Sequence, residues 1–82
     1  MRVEIVYATP ISVFSQQLEF AEATTVANAI ARSGLLRAHP EIDFQVNKIG
    51  IYGKLVTASA MLKDNDRIEI YRPLLAVKKA NR

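Results

Sequence analysis

The sequence predicts an α+β fold: a two-layer sandwich in which one main helix packs on a mixed sheet of four or five strands. Three observations predict it. Near the N-terminus apolar residues alternate with polar ones in two successive stretches, joined by a short link containing Pro10. At Thr25 the period changes from two to the helical spacing, and before Pro73 it returns to two. An alternating strand buries one face and a helix buries one stripe, so elements in this order close around a single core.

Each element has its own justification. Val3, Ile5 and Tyr7 alternate with Arg2, Glu4 and Val6, giving a first strand with one apolar face. Thr9-Pro10 ends it, because proline has no N–H for a ladder and suits turns. Phe14, Leu18 and Phe20 share one parity, and Ser15, Gln17 and Glu19 the other, so a second strand follows in an antiparallel hairpin. Val26, Ala29, Ile30 and Ser33 fall at i, i+3, i+4 and i+7, the inward stripe of a short helix. Thr24 or Thr25 supplies its N-cap, Glu22 places negative charge near the positive end of the dipole, and Gly34 is a left-handed stop.

Leu35 and Leu36 are expected beneath the sheet, followed by an irregular crossing anchored by Pro40, Ile42 and Phe44. Ile49, Ile51, Leu55 and Val56 predict a short hairpin bent at Tyr52-Gly53, with Gly53 taking the positive φ. Met61 and Leu62 anchor the next loop, and residues 63–66 form a turn in which Asn65 suits the left-handed conformation. Residues 67–71 make the last strand, with Ile68 and Ile70 inward. The first and last strands are expected side by side and parallel at the centre, leaving the second and fourth at the edges.

The 82 residues suit one domain, residues 1–74, with residues 75–82 as a flexible basic tail. A chain this short buries about 60–65% of the surface its unfolded form exposes, so the core must be efficient. With no cysteine, disulfides, thiolate metal sites, iron–sulfur ligation and cysteine nucleophiles are excluded. The lone histidine, His39, excludes a multi-histidine zinc site. The net charge of +3 is unevenly placed. Residues 1–71 carry seven basic and eight acidic side chains, whereas Arg72, Lys78, Lys79 and Arg82 face no acidic residue. No basic nucleic-acid face on the body is expected. Nor is membrane insertion, since no stretch reaches the ~20 apolar residues of a membrane helix. The apolar run after Met1-Arg2 is interrupted by Glu4 and is too short for a secretory signal, so the expected location is the cytoplasm.

Three stretches carry a family resemblance: Val3-Glu4-Ile5-Val6-Tyr7-Ala8, residues 47–56 from Asn47 to Val56, and residues 62–74, which end in Asp66-Arg67-Ile68-Glu69-Ile70-Tyr71-Arg72-Pro73-Leu74. With His39-Pro40-Glu41-Ile42-Asp43 between them, they resemble the bacterial RnfH family, also called RatB, over nearly the whole chain. Asn65 stands where many members have glycine, and asparagine tolerates the same backbone conformation. The resemblance implies a ubiquitin-like β-grasp fold and a small bacterial protein whose biochemical role is poorly defined. It implies no catalytic residue. The Rnf electron-transport complex and a RatA toxin–antitoxin pair are associations that the family names imply.

No enzyme, cofactor or metal site is expected. Asp64 and Asp66 could in principle hold a hard cation, but beside Asn65 and Lys63 they read as turn residues. Glu41 and Asp43 read as a solvated loop edge rather than a catalytic carboxylate pair, and His39 as a surface loop residue. Gly50-x-x-Gly53 precedes a strand rather than opening a helix, so it is hairpin geometry and not a phosphate loop.

The expected function is a non-enzymatic protein-interaction module. Val6 and Tyr71 are placed on the open face of the sheet with Gly50 leaving it flat between them, Lys54 and Arg72 at the rim, and Glu4 and Glu69 as counter-charge. Two alternatives remain at this point. A sulfur carrier or modifier resembling ThiS, MoaD or ubiquitin works through a C-terminal Gly-Gly, but Gly34, Gly50 and Gly53 are isolated and internal. Weak binding of RNA or an acidic partner through the tail is the other, and it would fall steeply with salt.

Overall fold

The computed structural model describes residues 1–72. Pro73 and Leu74 of the family motif, and the tail at residues 75–82, lie outside the described residues.

Alternation builds the sheet as the sequence requires. Strand β1 (Arg2–Ala8) buries Val3, Ile5 and Tyr7, and β2 (Val13–Glu19) turns Phe14, Gln16 and Leu18 the same way. The remaining strands are β3 (Ile49–Ile51), β4 (Lys54–Val56) and β5 (Arg67–Ile70). The order across the five-stranded sheet is β2-β1-β5-β3-β4. β1 and β5 run parallel at its centre with Ile5 opposite Ile68, and both side chains are fully buried. β2 and β4 form the edges, as expected.

Helix α1 (Val26–Arg32) lays Val26, Ala29 and Ile30 on the inner face of the sheet. Thr25 is the N-cap, its Oγ1 accepting from the Asn28 N–H at 3.1 Å. Two N–H groups that a helix start leaves unpaired are also satisfied: Val26 donates to the Ala60 carbonyl at 3.0 Å and Ala27 to that of Ala58 at 2.8 Å. Thr24 is buried and accepts from the Asn28 carboxamide at 2.5 Å. The first turn contains no acidic residue, so Glu22 lies outside it. Thr25→Ala should lower the unfolding free energy by about 1 kcal/mol in urea titration, the usual loss for a removed N-cap.

The helix does not stop at a left-handed Gly34. Ser33 ends it in an extended conformation, with its hydroxyl donating to the Ile30 carbonyl at 2.7 Å and accepting from the Leu35 N–H at 3.1 Å. Gly34 has φ −90°, ordinary for any residue, and opens a second helix, α2 (Leu35–Ala38), that periodicity does not predict. A four-residue helix is too short to display a period. It buries Leu35 completely and leaves Leu36 exposed.

Other expected anchors divide in the same way. Leu62 is buried and Ile42 packs partly against the core, whereas Met61 and Phe44 are exposed. Met61 serves through its backbone instead, in a bridge to Thr25. The turns follow their chemistry: Tyr52 (φ 48°) and Gly53 (φ 85°) are both left-handed, as a two-residue hairpin requires, and Asn65 has φ 71°. Among the described residues, no helix is long and apolar enough to cross a membrane.

Candidate functional site

Strand register decides what the solvent face of the sheet displays, because paired residues share a face. Ala8 lies opposite Val13, and Val6 lies between Ser15 on one side and Glu69 on the other. Glu69 is opposite Gly50, which is opposite Leu55. Tyr71 continues the parity of Glu69 one step beyond β5, and its N–H donates to the Lys48 carbonyl at 2.8 Å. An apolar band therefore crosses this face, from Val13 and Ala8 through Val6 and Tyr71 to Leu55. Val13 is 67% exposed and Leu55 64%, while Val6 and Tyr71 are half-buried.

Tyr71 is held in place from several directions. Its ring covers Gly50, where any Cβ would overlap the phenol. Gly50 is thus buried, and the flat gap expected between Val6 and Tyr71 is filled by the Tyr71 ring. The phenol donates to Glu69 Oε1 at 2.6 Å, and the same oxygen accepts from the Gly53 N–H at 2.8 Å. From beneath, the buried Asn47 carboxamide donates to the Tyr71 carbonyl at 3.0 Å and accepts from the Asp43 N–H at 3.0 Å. The other half of the face is a self-compensated charge network. Arg2 meets Glu19 at 2.8 Å, Arg67 lies 3.9 Å from both Glu4 and Glu69, and Ser15 donates to Glu4 at 3.0 Å. Solvent screens such exposed pairs, so they add little to stability.

The Tyr71–Glu69 bond shifts both groups. The phenol hydrogen bond holds the Glu69 carboxyl below its ordinary value, helped by the Gly53 N–H and Arg67 against the opposing effect of burial. The same bond, with burial and the Glu69 charge, pushes the Tyr71 phenol up. A depressed carboxyl adds stability that is present above its unfolded value and lost as pH falls through the folded one. A raised phenol adds stability that is present below its unfolded value and lost as pH rises through the folded one. The stability difference between wild type and Tyr71→Phe should therefore be widest from about pH 5 to 9 and shrink toward both extremes. Urea unfolding at several pH values measures it.

Two expected rim residues are elsewhere. Lys54 pairs with Ile51, which pairs with the buried Ile68, so Lys54 belongs to the helix side of the edge strand. The residues flanking a two-residue hairpin turn share a face, and Leu55 takes the outward place. Arg72 has the parity of Ile70 and lines a cleft of about 420 Å³ with Tyr7, His39, Glu41 and the turn at residues 9–12. It too lies off the open face.

The polar residues singled out for chemistry are engaged in structural bonds. Asp64 accepts from the Arg2 N–H and Asp66 from the Lys63 N–H, each at 2.7 Å. Asp43 accepts from the Gln45 N–H at 2.9 Å. Glu41 accepts from the Tyr7 hydroxyl at 3.3 Å and lies 3.2 Å from His39 Nδ1. His39 is not a free surface residue: its ring packs edge-on against Tyr7 and Phe14, with centroids 4.9 and 5.9 Å apart. Among the described residues, no three His, Cys, Asp or Glu side chains converge as a metal site would need.

Asn47, Val13 and Leu55 were missed as members of the site. Leu55 was recoverable from its place opposite Gly50 in the hairpin, but a loop asparagine gives no sign that folding will bury it.

Known proteins with this fold and sequence are consistent with that architecture. A solved structure of SAMP1 from Haloferax volcanii superposes with a TM-score of 0.68 at 13% identity, covering 93% of this chain and 99% of that one. The complex of subunits 1 and 2 of molybdopterin-converting factor from Helicobacter pylori gives a TM-score of 0.62 at 21% identity, covering 93% and 99%. These likenesses establish the β-grasp fold. In sequence, Protein RnfH of Pectobacterium carotovorum subsp. carotovorum is 45% identical over 76 residues, 93% of this chain and 79% of the relative. The family model described as RnfH family Ubiquitin matches residues 1–82, and with the β-grasp architecture and the motif spanning β5 it places this chain in the RnfH family.

Proposed function

We propose that this RnfH-family chain is a non-catalytic interaction module that docks a protein partner through the solvent face of its sheet, centred on Val6 and Tyr71. The observation that carries this reading is the apolar band from Val13 to Leu55, bordered on one side by the charge network around Arg67. An apolar centre with a polar border is the anatomy of a protein interface, and tyrosine is enriched in binding hot spots. The rigid seating of Tyr71 lowers the entropy lost when it is covered. Two further observations support the reading. The carboxylates weighed for catalysis, Glu41 and Asp43, are occupied in structural bonds, and the neighbour of the same fold from H. pylori is described as a protein–protein complex. Lys54 and Arg72 do not belong to the docking face in this reading.

The test is quantitative partner capture from lysate followed by affinity measurement on the partner recovered. Tyr71→Asp should weaken binding about 30-fold or more, the effect of losing a hot spot of about 2 kcal/mol. Lys54→Ala should leave affinity within about twofold, as expected for a residue off the contact. Equal recovery of the same partners by both variants would remove the face from the mechanism. Components of the Rnf complex and RatA are the partners that the resemblance names for comparison.

A further inference from the structure

We propose that a second copy of this chain pairs antiparallel with the free edge of β2, joining the two sheets into one continuous sheet. The hydrogen-bond phase of the β1–β2 ladder supplies the first argument. At one end Met1 and Phe20 exchange both backbone bonds at 2.8 Å, and at the other the Thr9 N–H donates to Ser12 at 2.7 Å. Directly opposed residues alternate between bonded and non-bonded pairs, so Phe14, Gln16 and Leu18 bond to β1. Val13, Ser15, Gln17 and Glu19 therefore aim their backbone groups outward. Among the described residues, no partner accepts from the Ser15, Gln17 or Glu19 N–H.

This edge also lacks the usual protection against pairing. Its register with β1 runs unbroken for seven residues, without a bulge, and the strand contains neither proline nor lysine. The opposite edge, β4, has only three residues and includes Lys54.

Self-complementarity identifies the occupant as a second copy. Only one register with the required bonding phase pairs all seven residues, and it is symmetric about Gln16. It sets Ser15 opposite Gln17 of the second copy and Val13 opposite Glu19, each as a bonded pair. Phe14, already at the half-buried rim of the core, meets Leu18 on the helix side. No like charges oppose one another, and the exposed Val13 is covered by the Glu19 methylenes. The axis is perpendicular to the sheet, so both Val6–Tyr71 faces point the same way and remain free from Ala8 to Leu55, with only Val13 at the end of the band covered.

Sedimentation equilibrium and thiol cross-linking test the proposal in the full chain. Wild type should show a concentration-dependent dimer below about 1 mM, with slowed exchange of the Ser15, Gln17 and Glu19 amides as concentration rises. Gln17→Pro removes an outward N–H that β1 does not use and should be monomeric. The chain has no cysteine, so an introduced thiol reports alone. Gln16→Cys should form a disulfide dimer on oxidation, because the non-bonded central pair has Cα atoms about 4.5 Å apart. Val13→Cys should not, with its thiols about 20 Å apart across the axis. A monomer at 1 mM, a dimer that persists in Gln17→Pro, or equal cross-linking of the two cysteine variants would overturn the proposal. The cross-linking comparison decides it even if Gln17→Pro fails to fold.

Discussion

Ile5→Ala should destabilise the domain by about 2–5 kcal/mol, among the largest losses expected from a single side-chain truncation here. Ile5 sits at the centre of β1 with no exposed surface, directly opposite the equally buried Ile68 on the parallel neighbour β5. Both side chains lie under α1, so removing three carbons opens a cavity that a rigid central ladder is poorly placed to close. Domains of this size have small reserves, roughly 5–10 kcal/mol, so the variant should lose a fifth or more of its stability. Urea unfolding measures the loss. A control at Val6, the next residue but on the solvent face, should lose less under the same truncation because it is already half-buried. Equal losses at the two positions would contradict the assignment of inner and outer faces.

Asn47→Ala is the second large effect, and it joins stability to the docking face. The carboxamide makes two bonds at once, to the Asp43 N–H and to the Tyr71 carbonyl. Alanine leaves both part-buried groups without that partner, at a cost of about 1–3 kcal/mol. The backbone bond from the Asn47 N–H to the Asp43 carbonyl, 2.7 Å, is untouched, so the loop keeps its turn. What loosens is the carbonyl of Tyr71, and with it the ring that covers Gly50. The variant should therefore show a changed Tyr71 environment by NMR and weaker partner binding, together with the stability loss seen in urea. Asn47→Asp should retain the acceptor toward Asp43 but lose the donor to Tyr71, placing a carboxylate against a carbonyl. It should weaken binding at least as much.

The two substitutions differ in how visible their targets are beforehand. Ile5 announces itself, since Val3, Ile5 and Tyr7 recur at every second position of β1 and a one-residue slip would expose every buried side chain. Asn47 looks like an ordinary loop polar residue. Its burial depends on the connection from α2 returning under the end of β5, a contact between residues 24 apart. Turn chemistry was equally legible: Gly53 and Asn65 adopt the left-handed conformations their residue types favour, and Tyr52 joins Gly53 because a two-residue hairpin needs two such positions. Gly34 was misleading for a physical reason. Glycine permits a left-handed stop without requiring one, and here the Ser33 hydroxyl completes the helix end. Lys54 and Arg72 were expected at the rim of the open face from their charge, whereas hairpin register puts Lys54 on the helix side and Arg72 lines the cleft beside Tyr7 and His39.

The sequence by itself determined the order of the strands and of α1, the inward residues of both long strands and of α1, and the family motif through β5. Those features follow from short periodic patterns and from turn residues with few permitted conformations, so local chemistry suffices to specify them. Only the tertiary structure decided that Tyr71 lies over Gly50, that Asn47 and Glu69 hold it there, and that Leu55 rather than Lys54 completes the open face. Each of those depends on which residues become opposite one another across strands distant in sequence. Pairing of that kind is set by register and closure of the whole sheet, and no local pattern encodes it.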